Sequence, residues 1–531
     1  MTASAAEPWV RFEDEHLLAV AKPAGVNTHR ADVHAQDGMH EWVQRQRPGT
    51  SLAILHRLDK ETSGVLLFGK SPTANRALAA QFEARAVEKR YEMLVAHDGR
   101  RPARVSCDDP VADRHPGRGP ARDARTDFER VAVGAAFDRF AAWPHTGRTH
   151  QIRIHAEALG LPIVGDAAHG GLDAARLFLH AATLRIEHPT ASALEVREPA
   201  PASFDRLQAS EHADRAGDPA TAVLVAREAR AALFDDADTD CFLWIDRHHD
   251  GLANTRVERL GDVAFVVNYT DDAVPTDWLD ALAQVPGVRA VYEQRRPRRG
   301  AAPPAAFLSG RAGARFAVRE LGLRYVIDLD ASTTSTGLFL DQRETRRRLR
   351  TSDLAGKNLL NVFAHTGSLS VAAAAAGAET LTLDLSKRYL DWARENLEAN
   401  DLDPAAHDFI YGDALEWMAR LAKKGRTFDV VLVDPPSSST SKKKGTKRWV
   451  VERDLAELVE RSIELCASGG TVFVSTNLHR MRWPRFLEHV DVALLASGRT
   501  GRVETQTLPL DHRTGPGDPP YLKAAWIHLD D

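Results

Sequence analysis

The chain has 531 residues, 43% of them hydrophobic and 27% charged, with a formal net charge of -5. That length points to more than one domain, and the slight acidity excludes a bulk polycation that holds its partners by charge alone. Three cysteines without a CxxC pair, a start with no basic-then-apolar leader, and no apolar run beyond the short 371–378 stretch point to a reducing cytoplasm, with no disulfide framework, metal site or membrane span.

Residues 9–207 read as short strands with few helices, an α+β pattern. Within them, HRLDKETSG (56–64) lies between SLAIL (51–55) and VLLFGKS (65–71), both apolar runs that read as buried strands. Asp59 therefore sits in a loop beside a core, where a carboxylate is costly unless a cation partners it. Arg57 and the distant Arg148 are both candidate partners, and an ion-paired structural aspartate at a strand end fits the spacing equally well. Helical spacing of Leu78, Ala79 and Phe82 predicts a helix over 73–86. The stretch DDPVADRHPGRGPARDAR (108–125) reads as a solvated, flexible excursion in preference to an RNA-contacting loop.

HRLDKETSG resembles the signature of the RluA-type pseudouridine synthases. Three further stretches resemble that family in order: KPAGVNTH (22–29), VEKRY (87–91) and TGRTHQIRIH (146–155). The resemblance implies that Asp59 is the catalytic carboxylate. It implies that Tyr91 stacks on the target base and acts as general base, that Arg148 pairs with Asp59 and holds it ionised, and that Arg57 holds RNA or fills the gap left by a flipped nucleotide. Those residue types suit the isomerisation of uridine to pseudouridine. A carboxylate acts on the sugar, a phenol takes the proton from the new C–C centre, and no cofactor is needed.

Polar QASEHADRAGDPAT (208–221) reads as an interdomain linker. A helix, a strand–turn–strand–turn–strand pattern, a helix over 277–285 and a strand near 288–292 follow, making a small central domain. Its His248-His249 pair, read as lying in a strand, would face opposite ways and so not share a metal. The hairpin ARFAVRELGLRYVIDLD (314–330) opens a regular β-α alternation, the mark of a mostly parallel sheet with helices on both faces. The expected domains are thus 1–208, a linker 209–222, a central domain 223–315 and an α/β Rossmann-like domain 316–531.

In that last domain LLNVFAHTGSLSV (359–371) reads as strand, turn and helix start, with Phe363, Ala364, Thr366 and Gly367 as candidate cofactor-binding positions. Asp384 closes the second strand and suits ribose hydroxyls. Asp413 closes the third and suits an adenine edge. Asp434-Pro435-Pro436 closes the fourth and faces a methyl group and a planar base. A dinucleotide would also fit the strand–turn–helix and later acid, but Ala364 and Thr366 stand where a pyrophosphate needs glycine. S-adenosylmethionine carries no phosphate and tolerates them.

This order of motifs resembles the class I methyltransferases acting on nucleic-acid bases. TGLFLDQRETRRRL (336–349) resembles the lead-in of the RlmI/RlmK group of 23S rRNA methyltransferases, which implies S-adenosylmethionine as cofactor and places Arg343 near its methionine end. In the RlmI branch a cysteine follows the strand after DPP; here FVSTNLHRM (473–481) has none, so the chain leans to the branch that methylates guanine N7. The basic stretches SKKKGTKR (441–448), QRRPRRG (294–300) and the arginines at 343–350 are candidate phosphate contacts or solvated faces. The expectation is a bifunctional RNA-modifying enzyme, acting on 23S rRNA, that makes pseudouridine and 7-methylguanine. The alternatives are a 5-methylcytosine enzyme, two activities on rRNA and tRNA, and an rRNA-binding assembly factor with one inactive site.

Overall fold

The computed structural model describes residues 7–112, 120–296, 305–331, 335–439, 449–515 and 520–531. The expected lysine loop at 441–448, the 113–119 part of the polar excursion and residues 297–300 lie outside them.

The N-terminal part is built on a ten-stranded sheet. Its centre runs Leu17–Lys22, Ser63–Gly69, Leu179–Glu187, Glu88–Ala96 and Phe137–Pro144. Of the two buried strands expected around residues 56–64, Ser63–Gly69 forms as such, whereas the first is reduced to the two-residue edge strand Ala53–Ile54, with Ile54 exposed. All of Leu17–Lys22 and Ser63–Gly69 is buried, which is why these runs are apolar without alternation. Ser63 and Gly64 pair in parallel with His180 and Ala181. Gly64 has φ 121°, and a Cβ there would come 2.2 Å from the Ala181 carbonyl, so only glycine lets the chain enter the sheet directly after the Asp59 loop.

The helix expected over 73–86 is Pro72–Glu83. Ser71 caps it, its Oγ accepting from the Ala74 amide at 3.2 Å, with proline in the first position. Its inner face is Ala74 and Leu78, and Ala79 is exposed.

The polar stretch 208–221 is folded, contrary to the linker reading. It forms the short helix Ala213–Gly217 and the start of Pro219–Ala231, capped by Asp218. Small apolar residues dock it: Ala216 and Val225 share a core with Phe178, just before the strand Leu179–Glu187, and Phe204 of the helix Ala202–Gln208.

The central unit is a five-stranded sheet from Cys241–Asp246 to Ala306–Gly310, with the helix Thr276–Ala283. His248 and His249 lie in the short helix Arg247–Asp250 rather than a strand, their rings 4.1 Å apart. The expected hairpin forms as Arg315–Glu320 and Leu323–Asp328, with Leu321 and Gly322 both at positive φ. Beyond it lies a seven-stranded sheet, parallel except where Lys523–Leu529 inserts antiparallel beside Cys466–Thr476. One hydrophobic core runs from Val263 and Phe265 of the central unit to Leu359 and Leu432 of this sheet.

A stretch near the C-terminus ties the three units together. Leu510 is buried with Leu58 and Leu233 in an N-terminal core. The Asp511 carboxylate accepts from Arg343 at 2.6 Å and from the Leu243 amide at 2.8 Å. The Thr514 carbonyl accepts from Lys60 Nζ, next to Asp59. Among the described residues no helix is long and apolar enough to cross a membrane, and no group of three or more His, Cys, Asp or Glu is placed to hold a metal.

Two candidate active sites

The first cleft, about 1130 Å³, is lined by Arg57, Asp59, Lys89, Tyr91, Arg148, His150 and Arg153. The Asp59 loop is held from beneath by the KPAGVNTH stretch. Buried Lys22 donates to the carbonyls of Pro23, Val26 and Lys60 at 3.0, 2.7 and 3.0 Å. Thr28 Oγ1 donates to the Leu58 carbonyl at 2.9 Å and accepts from its amide at 3.1 Å. His56 also lines the cleft but is tied up there: it stacks on Phe82, and its Nε2 accepts from the Leu67 amide at 3.0 Å. Burial drives its pKa down to about 3, so it is a neutral structural group.

The cation beside Asp59 is not the expected one. Arg148 donates from Nε to the Asp123 carbonyl at 3.3 Å and makes no ion pair with Asp59. Arg153 Nη1 and His150 Nε2 each lie 3.9 Å from the Asp59 carboxylate. Arg153 is itself fixed by two 2.6 Å hydrogen bonds to Asp166. The reason is local: the helix Gln151–Ala158 begins just after Arg148, and His150 and Arg153, three residues apart, project from one face of its first turn. Arg153 stands in the TGRTHQIRIH stretch, so the motif pointed to the right segment and helical spacing was the signal for the right arginine. Tyr91, on Glu88–Ala96, faces the same cleft, and burial, then the charge of Asp59, pushes its phenol up, leaving it protonated at neutral pH. Arg57 is exposed on the rim.

The second cleft, about 470 Å³, lies at the C-terminal ends of the parallel strands. Phe363, Asp384, Asp413 and Asp434 line it. Asp384 accepts from the His365 and Ser386 amides, both at 2.8 Å, and burial raises its pKa. Asp413 caps the helix Ala414–Lys423 through the Glu416 amide at 3.1 Å. Phe363 and His365 are both at positive φ, strain of a kind that gathers at binding sites.

Three amides of the turn are already spent. The amide of Ala364 donates to the Leu383 carbonyl, that of His365 to Asp384, and that of Gly367 to the Ala364 carbonyl. A pyrophosphate needs such amides unspent, whereas S-adenosylmethionine needs carboxylates for its hydroxyls and an apolar slot. The residues present fit the latter.

Four expected cofactor contacts are placed elsewhere, the first being Ala364, which is buried and not part of the cavity wall. Thr366 is buried and donates its hydroxyl to the Gly337 carbonyl at 2.5 Å. Gly367 is where two helices meet, since a Cβ there would lie 2.6 Å from Ala393 Cβ. Arg343 is buried, bonded to Glu320 at 3.0 Å and Asp511 at 2.6 Å, away from the cavity wall. Its neighbours Asp341 and Gln342 line the cavity instead. The flanking arginines are equally committed: Arg346 to Glu320, Arg347 to Glu344, and Arg348 to Glu504. Arg343, Arg346, Arg347 and Arg348 are therefore held in structural ion pairs rather than forming a phosphate-binding face, while Arg350 is exposed.

Asp434 is held by a chain of hydrogen bonds that sequence reasoning missed. Trp526 Nε1 donates to Gln506 at 2.9 Å, Gln506 to Thr345 at 2.8 Å, Thr345 to Gln342 at 2.7 Å, Gln342 to Ser475 at 3.1 Å, and Ser475 to Asp434 at 2.6 Å. Burial raises Asp434 to about 6 against the pull of Ser475. The cysteines are all buried. Cys466 begins its strand, at the edge opposite the cavity, and burial raises it to about 12.

Comparison with known proteins divides the chain in two. A family model of RNA pseudouridylate synthases matches residues 16–158, and one of S-adenosylmethionine-dependent methyltransferases matches 277–493. Ribosomal RNA large subunit methyltransferase K/L of Allochromatium vinosum is 37% identical over 238 residues, 44% of this chain and 30% of that protein. "Putative ribosomal RNA large subunit methyltransferase YwbD" of Bacillus subtilis is 32% identical over 313 residues, 57% of this chain and 78% of that protein. Ribosomal RNA large subunit methyltransferase K of Neisseria meningitidis serogroup B is 40% identical over 171 residues, 32% of this chain and 48% of that protein. The chain thus spans less than half of the Allochromatium and Neisseria proteins. The crystal structure of SMU.776 complexed with SAH shares the fold, with a TM-score of 0.54 and 24% identity over 67% of this chain and 89% of that one.

Proposed function

From the premise that the chain belongs to the S-adenosylmethionine-dependent methyltransferase family and carries an RNA pseudouridylate synthase domain ahead of it, we propose that one polypeptide isomerises a uridine and methylates guanine N7 in large-subunit ribosomal RNA. The names of the relatives support ribosomal RNA as substrate.

In the first cleft Asp59 acts on the sugar as nucleophile or base while the glycosidic N–C bond breaks and the base turns to rejoin through carbon. Arg153 and His150 hold that carboxylate in place. Tyr91 is the platform for the flipped base, and its hydroxyl relays the proton from the new C–C centre, accepting it at oxygen as its own proton passes to water. Arg57 and Arg148 on the walls hold the RNA backbone.

In the second cleft Asp384 and Asp413 hold the ribose and adenine of S-adenosylmethionine, which when bound supplies an electrophilic methyl group. The acceptor is argued from what the walls lack: among the described residues no cysteine lines the cavity. Carbon-5 of cytosine needs a thiolate to activate it; guanine N7 has its lone pair ready and needs only placement. That observation carries the choice of base. The test is to incubate the full chain with methyl-labelled S-adenosylmethionine and unmodified ribosomal RNA, digest, and identify the labelled nucleoside. Label in 7-methylguanosine is expected; label in 5-methylcytidine or N2-methylguanosine sinks the reading. Asp59→Ala should abolish pseudouridine in the same RNA and leave the methyl label intact.

A further inference from the structure

A second chamber of about 350 Å³ opens off the cofactor cavity. The two share Arg296, Phe339, Asp341, Ser437 and Asn477 in their walls. The far wall comes from the central unit, which supplies Glu258 from the strand Thr255–Leu260; Glu258 lines this chamber and not the cofactor cavity. We propose that this chamber receives the acceptor base, and that Glu258 selects guanine by reading its Watson–Crick edge. The proposal rests on the guanine reading above and adds how that base is recognised and why N7 is the atom presented.

Four observations carry it. The chamber is of a size for a single base and opens where a methyl group would arrive. Phe339 stands at the junction and is 42% exposed, an apolar ring left uncovered beside a polar cavity, which suits stacking on an extruded base. Among the described residues, the Glu258 carboxylate accepts no hydrogen bond, although Arg256 lines the chamber beside it. Burial raises the Glu258 pKa while Arg296 and Arg256 pull it back down; once ionised, the carboxylate is acceptor-only, so its complement is two adjacent donors. Of the four bases only guanine presents them, at N1–H and N2–H. Finally, Ser437 Oγ donates to Asn477 Oδ1 at 3.2 Å at the shared mouth. This leaves the Asn477 amide hydrogens for an acceptor such as O6.

The geometry then fixes the reactive atom. A guanine whose N1 and N2 are held at the far wall turns the opposite side of the purine, the imidazole ring with N7, toward the cofactor cavity, with O6 between the two walls. An N2 acceptor would need the reverse orientation and would leave Glu258 facing a purine edge without donors.

Glu258→Gln places an amide donor against N1–H and N2–H. We expect methyl transfer to ribosomal RNA to fall on the order of 10- to 100-fold in kcat/KM. Cofactor affinity, read by calorimetry with S-adenosylhomocysteine, and pseudouridine formation, read by carbodiimide mapping, should stay at the unaltered chain's level. If the label is in 7-methylguanosine and Glu258→Gln transfers at the normal rate, this proposal fails while the function stands. If the label is on another base, the function itself fails. A binding measurement on the unaltered chain guards against a misfolded variant. With S-adenosylhomocysteine present, guanosine monophosphate should bind at least about fivefold tighter than inosine or adenosine monophosphate, because each lost donor weakens the pair. Equal binding of the three overturns the proposal.

Discussion

At the scale of the residue, the two carboxylates differ in what surrounds them. Asp59 is steadied by Arg153, which is locked in turn to Asp166. Arg153→Lys keeps the charge but loses the two-pronged grip, so isomerisation should fall about 100-fold from misplacement alone while methyl transfer holds. An unchanged isomerisation rate would return the role to Arg148. Asp434 faces burial without a cation, and its pKa is raised from 3.8 to about 6. The sign follows: the folded chain keeps the proton that the unfolded chain gives up, so stability is lost as pH climbs from 3.8 through about 6. Asp434→Asn should therefore melt higher than the unaltered chain at pH 8 and no higher at pH 4, while losing methyl transfer. Calorimetry at the two pH values checks this, and an equal difference at both would refute the burial argument. The positions of Asp59, Asp384 and Asp434 were legible because loops beside apolar strands announce themselves by charge, whereas Tyr91, inside the strand Glu88–Ala96, is named only through the family resemblance. The resemblance names Arg148 as the partner and leaves Arg153 out, because a motif gives order along the chain and not the turn at which a helix starts.

At the scale of the element, apolar runs and turn residues were enough to place most strands and helices, including the hairpin Arg315–Glu320 and Leu323–Asp328. The helix Arg343–Thr351 was misread for a physical reason. Arginines on a surface and arginines buried against Glu320 and Asp511 look alike in sequence, because the acids that pair with them lie far away along the chain. Breaking one such pair leaves a buried charge alone. Arg343→Ala should cost about 3–5 kcal/mol in denaturant unfolding and leave the salt dependence of RNA binding by the folded fraction unaltered. A changed salt slope with normal stability would restore Arg343 to the RNA surface. The stretch 208–221 was misread likewise, since Ala216 and Val225 are too small and too few to stand out among polar neighbours, yet they fill a core.

At the scale of the whole molecule, sequence separated three folding patterns but gave no sign of how they are joined. The joint is the stretch around Leu510 to Thr514. Leu510→Ala should cost about 2–5 kcal/mol and lower the melting of the N-terminal and C-terminal parts together. Two separate transitions, with only the later one displaced, would show the parts to be independent. Leu510 enters the same core as Leu58, and Lys60 is bonded to the chain four residues further on. The two halves are therefore not beads on a string. Divided into separate genes, the first would carry an apolar scar where Leu510 had been and the second a loose end with nothing to hold it.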